Sequence, residues 1–161
     1  MILLASISPV APKIAVASPD QDRKAFNGVG SSGCGLFLVY QWNAQRTEVI
    51  VVEADPGKLR LGTGSKTFNL GNLEEALHVH LDVYDKSQAD FDYCCDVKRP
   101  LSEKQPAVWL AQSGGITIEV RGRSGLRQVT ARLENGVFRK PDGALVRLTG
   151  SPLIRATVGS F

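Results

Sequence analysis

Leu77-His78-Val79-His80-Leu81-Asp82-Val83-Tyr84 alternates apolar and polar residues with one exception, Tyr84, which carries both characters. Successive side chains of an extended strand point to opposite faces. Leu77, Val79, Leu81 and Val83 therefore share one face, and His78, His80, Asp82 and Tyr84 share the other. The octet reads as a half-buried β-strand, and it gathers both histidines of the chain beside a carboxylate on one surface.

The same period recurs downstream. Ile116, Ile118 and Val120 alternate with Thr117, Glu119 and Arg121, and Val129, Ala131 and Leu133 alternate with Gln128, Thr130, Arg132 and Glu134. Gly35 to Trp42 and Thr47 to Glu53 are apolar on both faces, as central strands covered on two sides are. Lys58 to Leu61, Lys66 to Leu70, Phe91 to Val97, Val108 to Ala111, Ala144 to Leu148 and Leu153 to Val158 supply further short strands. Turn chemistry punctuates them: Asn43 to Arg46, Asp55-Pro56-Gly57 and Pro141-Asp142-Gly143. Asn135-Gly136 joins two alternating runs and predicts a type I′ hairpin, which needs φ > 0 at both positions. One short segment, Asn72 to Ala76, reads as helix, with Asn72 as its cap. The expectation is an all-β chain, an antiparallel β-sandwich of immunoglobulin-like or jelly-roll-like type with about 8–10 short strands.

Composition narrows the class. Lys and Arg total 19 against 16 Asp and Glu, a net charge of +3, and the basic residues are scattered between apolar ones. Nucleic-acid binding needs a concentrated basic stripe with interleaved aromatics, so a nucleic-acid partner is not expected. No apolar run approaches the ~20 residues of a membrane-spanning helix.

Residues 1–25 read as a signal-peptide remnant or an N-terminal arm, and residues 26–161 as a single sandwich domain. Ile2 to Ile7 is apolar and Ala15-Val16-Ala17 has the small-x-small form of a cleavage site, but a basic leading region is absent and Pro9, Pro12 and Lys13 interrupt the run. Lys13 to Ala17 serves equally as a first strand. Cys34, Cys94 and Cys95 allow one bridge and one free thiol. A bond from Cys34 to Cys94 or Cys95 closes a loop of about 60 residues, worth about 3–4 kcal/mol by loop entropy. Such a bridge points to a secreted or periplasmic protein, with a cytoplasmic chain of three thiols as the alternative.

Chemistry-bearing residues cluster on the first strand. His78, His80 and Asp82 stand about 7 Å apart at successive same-face positions, so a zinc ion held there needs a further ligand from another strand. The plain alternative is a solvated strand face. Asp82, Asp85, Asp90, Asp92 and Asp96 concentrate acid in this region, without the loop spacing of an EF-hand. Gly28 to Gly35 lacks the ending of a phosphate-binding loop and reads as an entry loop to the central strand. Trp109, with Tyr84 and Asp85, is the candidate contact set for a protein or carbohydrate ligand, and Trp42 and Tyr40 point to the core. No nucleophile elbow, phosphate loop or complete metal set is visible, and no motif implies a cofactor. The expected function is thus a noncatalytic exported module that binds a partner. The alternative is a zinc- or calcium-dependent hydrolase-type enzyme built on His78, His80 and Asp82.

Overall fold

A computed structural model of the chain describes residues 22–72, 75–89, 91–94, 105–122 and 125–159. The signal-peptide reading of the first residues, and Cys95, Asp90 and Asp96, lie outside them. The strands in chain order are β1 (Asp22–Ala25), β2 (Gly28–Cys34), β3 (Leu38–Asn43), β4 (Glu48–Ala54), β5 (Gly64–Asn69), β6 (Leu77–Val83), β7 (Ala107–Arg121), β8 (Arg127–Arg139), β9 (Leu145–Thr149) and β10 (Leu153–Val158). The class is all-β: among the described residues the helical content is a single 3-10 turn, Leu70–Asn72.

All ten strands belong to one hydrogen-bonded sheet, ordered β1-β9-β8-β7-β6-β4-β3-β2, with β10 added to β8 and β5 to β7. Its pairs are antiparallel except β1 with β9, so the sheet is mixed, and it curls strongly into a half-barrel. The structure therefore supports the all-β expectation and not the antiparallel sandwich. The reason lies in the two longest strands. β7 pairs with β6 through Ala107–Leu110 and with β5 through Gly115–Val120. β8 pairs with β9 through Val137–Arg139 and with β10 through Arg127–Arg132. Register shifts at Ala111/Ser113 and Ser113/Gly115 bend the pair between these halves, since a bulge inserts a residue and sharpens the local twist.

Asn135-Gly136 sits at that bend. It does not form the expected hairpin; β8 runs straight through it, with Asn135 at φ 51° facing Gly114 at φ 113°. The left-handed preference read from the dipeptide is real, but it is spent on a bulge inside one strand. A Cβ on Gly114 would stand 2.7 Å from the carbonyl oxygens of both Glu134 and Asn135, so the two strands approach there only because the residue has no side chain.

Other local expectations shift in similar ways. Gly28 to Cys34 is strand β2, not an entry loop: a Cβ on Gly33 would lie 2.8 Å from the Ala156 Cβ, so glycine lets this strand lie close against β10. Residues 58–61 form turns that tuck Leu59 and Leu61 into the core rather than a strand. Of the expected helix at Asn72 to Ala76, Leu73 and Glu74 lie outside the described residues, and the preceding 3-10 turn ends at Asn72. The turns at Asn43 to Arg46, Asp55-Pro56-Gly57 and Pro141-Asp142-Gly143 form as expected, the last with Gly143 at φ 89°.

The concave face carries the main core, including Val39, Ile50, Val52, Val79, Leu81, Ile116, Ile118, Val129 and Phe138. A second cluster lies on the opposite, outer face of β3, β4 and β6: Tyr40, Trp42, Val49, Val51 and Tyr84, covered by Phe91, Tyr93 and Cys94. Two cores explain why β3 and β4 read as apolar on both sides.

Candidate functional site: the half-covered outer face

Antiparallel register aligns the outer face into rows. Tyr40, Val51, His80, Leu110, Arg139 and Leu145 stand abreast across β3, β4, β6, β7, β8 and β9. Trp42, Val49, Asp82 and Val108 form the next row. The segment after β6 returns across the β3–β4–β6 half of these rows. Its anchor is a disulfide between Cys34 and Cys94, whose Cα atoms are 5.5 Å apart, as expected for one of the two pairings open in the sequence.

Polar contacts fix the cover in register. Arg46 donates from Nε to the Gln88 carbonyl at 3.0 Å and from Nη2 to the Phe91 carbonyl at 2.7 Å. Its guanidinium also lies 4.8 Å from the Trp42 ring centre, a geometry in which the ring face attracts the cation. The Tyr40 hydroxyl donates to Asp92 Oδ1, and the Cys94 amide donates to the same oxygen at 2.9 Å. Those two bonds, the Tyr40 bond first, hold the Asp92 carboxyl below the usual carboxylate range. Burial, reinforced by the bond to Asp92, pushes the Tyr40 phenol up to about 12.

Beneath the cover, Asp82 is 5% exposed. Tyr93 donates its hydroxyl proton to Asp82 Oδ2, and Tyr84 and Tyr93 oxygens are 3.1 Å apart. Because the Tyr93 proton is committed to Asp82, Tyr84 is the donor in that second bond. Burial first, and the Asp82 bond second, raise the Tyr93 phenol far above its ordinary range. The other carboxylate oxygen, Asp82 Oδ1, is buried with no hydrogen-bond partner among the described residues and lies 3.5 Å from His80 Nε2.

The surface expected at His78, His80, Asp82 and Tyr84 is therefore split. His78 is exposed opposite Glu53, His80 is half-buried, and Asp82 and Tyr84 are buried. The reading of this face as solvated fails at its C-terminal half, because alternation reports which side a residue faces and not what covers that side. His80 and Asp82 come together; among the described residues no group of three His, Cys, Asp or Glu side chains converges as a metal site.

The proposed contact trio does not assemble on one surface. Tyr84 is in the covered outer cluster, Asp85 is exposed beyond it, and Trp109 packs against the concave core. Lys140 Nζ and Lys24 Nζ lie 5.2 Å and 5.9 Å from the Trp109 ring centre. Sequence reasoning missed Arg46 and Phe91 as parts of the site, and it read Asp92 within the acidic concentration without placing it, or Tyr93, over β3. One signal was present: a bridge to Cys94 obliges the residues just before it to lie over the start of β3.

Among the described residues, no such segment covers the β7–β9 half of the outer face. Leu110 is 56% exposed, Val108 42% and Leu145 37%, with Arg139 exposed between the two leucines. No family model, curated protein or solved structure matches the chain. Roles for its residues therefore rest on this geometry.

Proposed function

We propose that the chain is a noncatalytic exported binding module whose protein partner docks on the uncovered half of the outer face. The observation that carries this reading is the exposed strip of Val108, Leu110 and Leu145, drawn from two adjacent rows, beside a face whose other half is already covered. A folded chain leaves few large aliphatic side chains this open in one place, and clustered ones mark contact surfaces. The Cys34–Cys94 bridge supports export, because such bridges persist in oxidising compartments. The expected partner contributes apolar side chains to the strip and an acidic group to Arg139.

A photo-reactive residue at position 110, cross-linked in the native source, identifies the partner, whose binding is then measured with both proteins purified. Leu110→Asp is expected to weaken that binding at least tenfold, with no change for Leu126→Asp on a separate exposed loop. Equal binding by the two variants refutes the docking face.

A second reading has one observation in its favour. The unpartnered Asp82 Oδ1 beside His80 is the start of a ligand set for zinc or calcium in a hydrolase-type enzyme, with His78 one same-face step away. Zinc titration separates the two readings. Stoichiometric binding that disappears in both His78→Ala and His80→Ala favours the enzyme; weak binding unaffected by either favours the module.

A further inference from the structure

We propose that the groove between β2 and β10 is a binding site for a hydroxyl-rich ligand bearing an oxyanion, the chemistry of a sulfated or uronic-acid saccharide. This surface is distinct from the outer-face row, and the inference stands whether or not that row binds a protein.

The groove exists because the curled sheet does not close. β10 pairs in the sheet with β8; it meets β2 through the Arg155 N–H to Ser31 Oγ bond at 3.2 Å, and just beyond the ends of both strands Gly159 N–H bonds the Gly35 carbonyl at 2.9 Å. The resulting seam holds about 510 Å³, and besides Val129 and Ala156 its lining is polar: Ser31, Ser32, Gln128, Thr130, Arg155 and Thr157. That is within the range of small-ligand sites. Thr130 stands opposite Arg155, and Gln128 opposite Thr157, so all four side chains leave the sheet on the same face.

Donors dominate the lining. Ser31 Oγ accepts the Arg155 amide, which leaves its own O–H to donate elsewhere. Gln128 offers an amide, and Thr130 and Thr157 offer hydroxyls that suit sugar hydroxyls as donors or acceptors. The Arg155 side chain is exposed and makes no ion pair among the described residues. A guanidinium presents a planar fork that matches carboxylate and sulfate oxygens. Among the described residues, no carboxylate lines the groove. Glu119, opposite Thr130 on β7, is engaged by Arg121 Nε at 2.8 Å. Arg132, two residues from Thr130 on the same face, extends the positive surface beyond the groove, about 7–8 Å diagonally from Arg155. Among the described residues the groove has no aromatic ring for stacking, so charge and hydrogen bonds are the means of recognition.

The test is an amide chemical-shift titration of the oxidised, isotope-labelled chain. The probes are glucuronic acid, an N- and O-sulfated disaccharide, a neutral disaccharide, and an oligothymidine. Shifts confined to Ser31, Gln128, Thr130, Arg155 and Thr157 are expected with an acidic saccharide, and the stronger of the two acidic probes assigns carboxylate or sulfate as the anchor. Arg155→Gln keeps the backbone bond to Ser31 and is expected to weaken that binding at least tenfold, with an unchanged circular dichroism spectrum. If that variant fails to fold, raising salt from 50 to 500 mM with the unmodified chain must weaken the binding in the same direction. Equal binding of the neutral disaccharide, stronger binding of the oligothymidine, salt-independent binding, or no shift in the groove with any probe overturns the assignment.

Discussion

Asp82 separates a covered face from a solvated one at the level of a single side chain. Its carboxylate takes the Tyr93 proton beneath the cover, so Asp82→Ala strands a buried donor, and stranding one costs about 1–3 kcal/mol. His78→Ala, at an exposed position of the same strand, is expected to stay within about 0.5 kcal/mol. Leu81→Ala, fully buried on the concave side, is expected to cost about 2–5 kcal/mol by lost burial and a cavity. Urea denaturation of the three variants measures the order Leu81, then Asp82, then His78. Asp82→Ala as mild as His78→Ala contradicts the covered network.

Between strands, the decisive positions are the bend in β7–β8 and the disulfide-anchored cover. Gly114→Ala places a methyl group against two backbone carbonyls at a positive φ, and is expected to cost about 2–3 kcal/mol or more; Asn135→Gly, at a left-handed position, is expected to be nearly neutral. Cys34→Ser opens a loop of 60 residues, with an expected loss of about 3–4 kcal/mol by loop entropy. Thermal melts of the non-reduced proteins check both. The strands and their inward sets were legible because period 2 is a local property: Leu77, Val79 and Leu81, Ile116, Ile118 and Val120, and Val129, Ala131 and Leu133 all face the core as the alternation implied. The bend was not legible, because Asn135-Gly136 reports a left-handed backbone and a bulge uses that as readily as a hairpin does. The cover was legible only through the bridge open to Cys94, since Phe91 and Tyr93 lie over β3 and β4 through contacts more than forty residues away in the chain.

For the molecule as a whole, the cover links stability to pH at both ends. Asp92 has a lowered carboxyl in the folded state, so its contribution is present above the ordinary carboxylate value and is lost as pH falls through the lowered one. Tyr40 is raised from 10.0 to about 12, so its contribution is present below pH 10 and is lost as pH rises toward 12. Stability is therefore expected to fall below about pH 4 and above about pH 10, with Asp92→Asn flattening the acid limb and Tyr40→Phe making the alkaline one shallower, the raised Tyr93 phenol supplying the remainder. Chemical denaturation across pH reads both slopes; an alkaline limb unchanged in Tyr40→Phe removes that phenol from the linkage. One half of the outer face is sealed by its own disulfide-anchored segment, while among the described residues no segment covers the other half. Hydroxyl-radical footprinting of the oxidised chain, read by mass spectrometry, tests this division most directly. Trp42 and Tyr84, at 2% and 6% exposure, are expected to be protected despite their high intrinsic reactivity, while Leu110 and Val108 are modified. Modification of Trp42 and Tyr84 at the rates of free aromatic side chains, in protein whose Cys34–Cys94 bond is intact, contradicts the account.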